Sequence, residues 1–153
     1  MPASTQETTD IDIRYATSQD NNLLAEIGAE TFYDSFAADN TPANMTAHLT
    51  SSFSPAKQAA ELAEPNSRYL IAQIDDQVVG YARLKFEDAP PVIAARRPME
   101  IARFYARKPW IGRGVGRRLM VACLAEASHA GCDVVWLGVW EKNPRAIAFY
   151  SKW

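Results

Sequence analysis

Three glycines on alternate positions, Gly112, Gly114 and Gly116, stand in the segment ARFYARKPWIGRGVGRRLM, Ala102 to Met120, between a basic loop and an amphipathic run. Glycine lets main-chain nitrogen atoms crowd a ligand. Free N–H groups at a helix start, the positive end of its dipole, and the guanidinium groups of Arg113, Arg117 and Arg118 together favour a pyrophosphate. An anionic cofactor is implied, although a glycine-rich turn with a solvated basic face has the same appearance. Two nucleotide motifs fit worse. A P-loop needs lysine followed by serine or threonine, and a dinucleotide fingerprint needs GxGxxG where this chain has GxGxG. A second constellation lies downstream: Asn143 precedes Pro144 as a helix N-cap, and Tyr150 follows two turns later, so that both can face one site. A phenol keeps its proton until about pH 10 and can serve as a general acid at neutrality; a core aromatic with a satisfied hydroxyl is the other reading.

The elements that must position these groups follow from periodicity. Ile11 to Tyr15 alternates as a strand, and Asp20 caps a helix carrying Leu23, Leu24, Ile27, Thr31 and Phe32. Thr41-Pro42 and Ser54-Pro55 each start a further helix with proline at its first position. Residues 68–74 and 77–86 flank Asp75-Asp76 as an antiparallel hairpin, and a proline-rich loop occupies 89–98. Residues 99–106 read as a strand, 114–130 as a helix, 133–140 as a buried strand, and Pro144 onward as another helix.

The chain has 153 residues, 48% of them hydrophobic and 22% charged, which suits one domain with a sizeable core. The net charge of -2 provides no global field to attract nucleic acid or an anionic membrane. The N-terminus lacks an apolar signal core and no apolar run is long enough to span a bilayer, so a cytoplasmic protein is expected. Cys123 and Cys132 lack metal-ligand spacing and read as reduced thiols; no metal is expected. Residues 1–9 read as a flexible tail and 10–153 as a single domain. Because Trp153 interrupts an apolar helix without a capping glycine, that domain reads as cut short.

On these residues the sequence resembles the GNAT superfamily of N-acetyltransferases: MEIARFYARKPWIGRGVGRRLM matches its strand-loop-helix, usually (Q/R)xxGxG/A, and WEKNPRAIAFYSKW its next helical motif. Ile111 stands where the family usually has glutamine or arginine. The resemblance implies an α/β (α+β) fold, a mixed, mostly antiparallel twisted sheet flanked by helices, with the family's last strands missing here. An exposed edge there favours aggregation or strand donation by a second copy, a homodimer. It also implies acetyl-CoA as cosubstrate, with backbone groups of Phe104, Tyr105 and Ala106 pairing with the pantetheine arm much as a peptide adds to a sheet edge. Amides from Gly112, Arg113, Gly114, Val115, Gly116 and Arg117 would hold the pyrophosphate. Asn143 would contact the cofactor and Tyr150 protonate the sulfur. Glu100 matches the catalytic glutamate of some members, and an amide near Tyr105 would meet the oxyanion. A covalent acyl-enzyme is disfavoured, since neither cysteine has a visible histidine partner and His48 and His129 lie outside the motifs.

The segments AETFYDSFAADNTPANMTAHL and WLGVWEKNPRAIAFY extend the resemblance to PaiA-type spermidine/spermine N-acetyltransferases. That likeness implies a small-molecule polyamine acceptor and makes Tyr33, Asp34, Asp39 and Trp140 candidate contacts, through ion pairs and cation-π interactions. The alternatives are another acceptor, such as a protein N-terminus, a peptide lysine or an antibiotic, and an acetyl-CoA-binding regulatory module without turnover.

Overall fold

The computed structural model describes residues 10–139 and 143–153. Five strands form one sheet in the order β1-β2-β3-β4-β5, namely β1 (Asp12–Tyr15), β2 (Ser67–Ile74), β3 (Gln77–Lys85), β4 (Pro98–Ala106) and β5 (Val134–Trp136). The first three pairings are antiparallel and β4 to β5 is parallel. The mixed, mostly antiparallel sheet with flanking helices is therefore the observed architecture. At the β2–β3 hairpin, Asp75 adopts a positive φ of 52°, which aspartate tolerates in tight turns.

Two helical layers cover the sheet. On one face, Leu24 and Ile27 of α1 (Asn21–Phe36) pack on Tyr69, Ile71, Val78 and Tyr81. On the other, Val115, Leu119 and Cys123 of α4 (Val115–His129), all without solvent exposure, pack on Leu70, Ala72, Val79 and Leu84. Fully burying an aliphatic side chain contributes about 1.5–3 kcal/mol, so these stripes hold both layers to the sheet. Thr41 and Ser54 cap α2 (Pro42–Ser52) and α3 (Pro55–Leu62) with side-chain oxygens that accept from Asn44 N and Lys57 N, as their Thr-Pro and Ser-Pro signatures require.

Two expectations are corrected. Asp20 occupies the cap position of α1 without bonding to that helix; its carboxylate instead accepts from Thr17 N and pairs with Arg14. The strand expected over 133–140 is only Val134–Trp136 and half-buried. It pairs with Pro98, Met99 and Glu100 of β4 and then leaves it, and without a ladder partner Leu137–Val139 cannot continue as strand.

Candidate active site

That early departure of β5 makes the site. Beyond Glu100, β4 remains paired with β3 on one side but, among the described residues, has no strand on the other. The ladder phase decides which backbone groups are free. Arg107 N donates to Val79 O, so by antiparallel alternation Tyr105 and Arg103 also turn their main-chain groups toward β3, whereas Phe104 and Ala106 turn theirs to the open edge. A register shift between Arg83 and Leu84 skips Ala102, a bulge that bends the strand beside this edge.

A cavity of about 610 Å³ occupies the wedge. One wall is β4 from Ile101 to Ala106, another is Leu137 to Val139, the C-terminal turn of α1 supplies Thr31, Asp34, Ser35 and Phe36, and α5 (Pro144–Tyr150) closes the side opposite α1. Phe104 meets Phe149 at 5.6 Å and Tyr150 at 5.8 Å between ring centroids, which fixes α5 against the strand.

At one end of the cavity, Gly112 and Gly114 have φ of 81° and 92°, and a Cβ on either would meet nothing within 4 Å. The turn thus depends on glycine for its conformation while leaving open space before α4, whose first amides have no intrahelical acceptor. Gly112, Gly114, Gly116 and Arg117 line the cavity, joined by Lys108, Arg145 and Lys152, which sequence reasoning did not single out. Their signal was weak: three exposed basic residues scattered over a loop and a terminal helix. Arg113 lies over the Trp110 ring at 4.8 Å, Val115 is buried in the core, and Arg118 donates to Ile11 O, which removes it from the basic group.

Asn143 caps α5 by accepting from Ala146 N at 3.2 Å, and it lines the cavity together with Tyr150. Burial pushes the Tyr150 phenol up to about 12, with Tyr105 and Cys123 adding to the rise. Tyr105 brings its ring to the cavity and stacks on Tyr81 at 6.0 Å; burial raises its phenol as well. Among the residues in and after α1 expected to meet the acceptor, Asp34 lines the cavity, while Tyr33 is 54% exposed and neither it nor Asp39, just beyond the helix, belongs to the lining. Trp140 lies outside the described residues. Glu100 is half-buried in the paired part of β4, between Lys85 and Trp136, and does not line the cavity.

A buried polar cluster behind the β4 wall of the cavity had no counterpart in the sequence expectations. Arg103 lines the cavity and donates to both carboxylate oxygens of Glu61 at 2.9 Å and to the Tyr69 hydroxyl at 2.8 Å. Burial pushes the Glu61 carboxyl up, but hydrogen bonding and charge from Arg103, with charge from Arg83, more than offset this and leave it below the ordinary carboxylate range.

The profile of the Acetyltransferase (GNAT) family matches residues 29–153. The chain belongs to that family. An N-acetyltransferase of uncharacterised role in Lactobacillus delbrueckii subsp. lactis is 33% identical over 143 residues, covering 94% of this chain and 83% of the relative. A Mycobacterium bovis relative named in the same terms is 33% identical over 133 residues, covering 87% and 81%. Among solved GNAT structures, the PaiA N-acetyltransferase of Thermoplasma acidophilum in complex with coenzyme A superposes with a TM-score of 0.81 at 20% identity, covering 94% of this chain and 87% of that one. An aminoglycoside acetyltransferase from a soil metagenome, in complex with sisomicin, gives 0.68 at 15%, covering 93% and 86%. This protein is thus an acetyl-CoA-dependent GNAT acetyltransferase with the GNAT fold, and the open β4 edge and glycine turn fit that cosubstrate: pantetheine carries two amides and its nucleotide end a pyrophosphate. Among the described residues no three His, Cys, Asp or Glu side chains gather to hold a metal, and no helix is long and apolar enough to cross a membrane.

Proposed function

We propose that this protein acetylates a primary amine of a small polycationic acceptor, a polyamine such as spermidine or spermine, by direct attack in a ternary complex. The observation that carries this reading is one cavity lined both by the unpaired edge of β4 and, at the α1 side, by the carboxylate of Asp34. Acetyl-CoA supplies the activated thioester.

The chain's own residues do the rest. Phe104 and Ala106 offer their outward main-chain groups to the pantetheine amides, and the amides entering α4, with Lys108 and Arg117, hold the pyrophosphate. Asn143 retains its amide NH2 as a donor, its oxygen being engaged in the cap. An uncharged amine attacks the thioester carbon, and the N–H of Phe104 or Ala106 meets the oxyanion that develops. The C–S bond then breaks as Tyr150 delivers its proton to the departing sulfur, and the proton lost from the amine nitrogen passes through water to restore Tyr150. Asp34 and the aromatic ring of Phe36 receive an ammonium group that does not react. The two free thiols, Cys123 and Cys132, suit a reducing compartment such as the cytoplasm.

An amine panel with thiol release as readout tests this. Turnover of spermidine and spermine, lost by at least tenfold in kcat/KM in Asp34→Asn, is the expected result. Preference for a peptide N-terminus or a peptide lysine would replace the acceptor, and tight coenzyme A binding without turnover of any amine would replace the enzyme by a regulatory module.

A further inference from the structure

The β4 wall of the cavity contains a cation, which a cationic acceptor would have to pass. Arg103 is 16% exposed at its side chain and lines the cavity, with its guanidinium over the Phe53 ring at 5.2 Å. Behind it, the two buried residues of α3 are both polar, Gln58 and Glu61. Glu61 is bound through both oxygens to Arg103 and through Oε2 to Arg83 at 3.1 Å, and Arg83 in turn meets Glu64 at 3.0 Å. Arg103, Arg83, Glu61 and Glu64 therefore cancel, two charges against two. A buried ion pair of this kind adds little net stability over apolar packing of the same volume, because desolvation offsets the attraction. Its value must be sought in what it does to the cavity.

We propose that Glu61 is a specificity-determining residue: it neutralises Arg103, so that this wall sets no positive charge against a polycationic amine drawn in by Asp34. This rests on the amine-acceptor reading above. Removing the Glu61 charge leaves an uncompensated guanidinium on the wall, and the penalty grows with the number of ammonium groups the acceptor brings. A role confined to packing has no such dependence.

The experiment compares n-butylamine, 1,4-diaminobutane and spermidine, with one, two and three amines, as acceptors for the wild type, Glu61→Gln and the double variant Glu61→Met/Arg103→Met. In Glu61→Gln, KM is expected to rise by roughly tenfold for each added ammonium relative to butylamine, as close charges in a partly dry site interact. The double variant restores charge balance and is expected to return these ratios to within about threefold of wild type, although it removes the hydrogen bonds. Coenzyme A affinity by calorimetry is expected to stay unchanged throughout. Should Glu61→Gln fail to fold, Arg103→Met supplies the opposite sign, with KM falling for the diamine and triamine relative to butylamine. An effect equal for all three amines, or a double variant that recovers nothing, overturns the proposal alone. A wild type that acetylates none of them removes the amine-acceptor reading, and this inference with it.

Discussion

Tyr150 and Glu100 separate cleanly once their places are compared. Tyr150 lines the cavity with a phenol raised by burial to about 12, so it holds its proton across the whole working range. Tyr150→Phe is expected to lower kcat by roughly a hundredfold, the ordinary yield of a positioned acid, while coenzyme A affinity changes little. Since a group raised this far loses its proton only well above neutrality, the wild-type kcat should show no loss from Tyr150 up to about pH 10. An alkaline fall that vanishes in Tyr150→Phe would contradict this. Glu100 lies in the paired part of the strand, and Glu100→Gln is expected to keep kcat within about twofold with an unchanged pH profile. Residue types and short spacings made Asn143, Tyr150 and the glycines legible in the sequence, because their signal is local. Glu61 and Arg103 were not, because their bond spans 42 positions and no local pattern joins a polar residue on a short helix to an arginine on a distant strand.

At the scale of elements, the donor half depends on how closely α4 and β4 approach β3. Gly80 sets that approach: a Cβ there would lie 2.8 Å from Tyr105 O and 2.9 Å from a Val115 methyl carbon. The first of these is backbone and cannot rotate away. Gly80→Ala is expected to cost about 1–3 kcal/mol in urea denaturation, the usual range for overpacking, and to weaken coenzyme A binding because β4 must shift at its open edge. A variant of wild-type stability and affinity would show that the strands yield more easily than this packing implies. The same dependence on partners explains where element reading failed. The starts of α2 and α3 followed from Thr-Pro and Ser-Pro alone, whereas β5 ended where β4 stopped accepting it, a fact that no propensity of Leu137 to Val139 records.

For the molecule as a whole, two carboxylates tied to arginines contribute to the response to acid. The Arg14 hydrogen bond holds Asp20 below the ordinary range, and for Glu61 the arginine contacts outweigh the burial that would raise it. Both folded-state values lie below those of the unfolded chain, so their stabilisation is complete above the unfolded carboxylate range, about pH 4, and is lost as pH falls through the folded values. The urea midpoint is expected to hold steady from neutrality to about pH 5 and then drop, with a shallower drop in Asp20→Asn. A midpoint that rises on acidification would reverse the assignment. The parting of β4 and β5 has one more effect at this scale. Phe104 and Ala106 leave main-chain groups of β4 unpaired toward the cavity, so strand addition and the proposed docking of the cosubstrate would compete for the same hydrogen bonds. Saturating coenzyme A is therefore expected to suppress any association of the protein through this edge, which light scattering with and without the ligand checks.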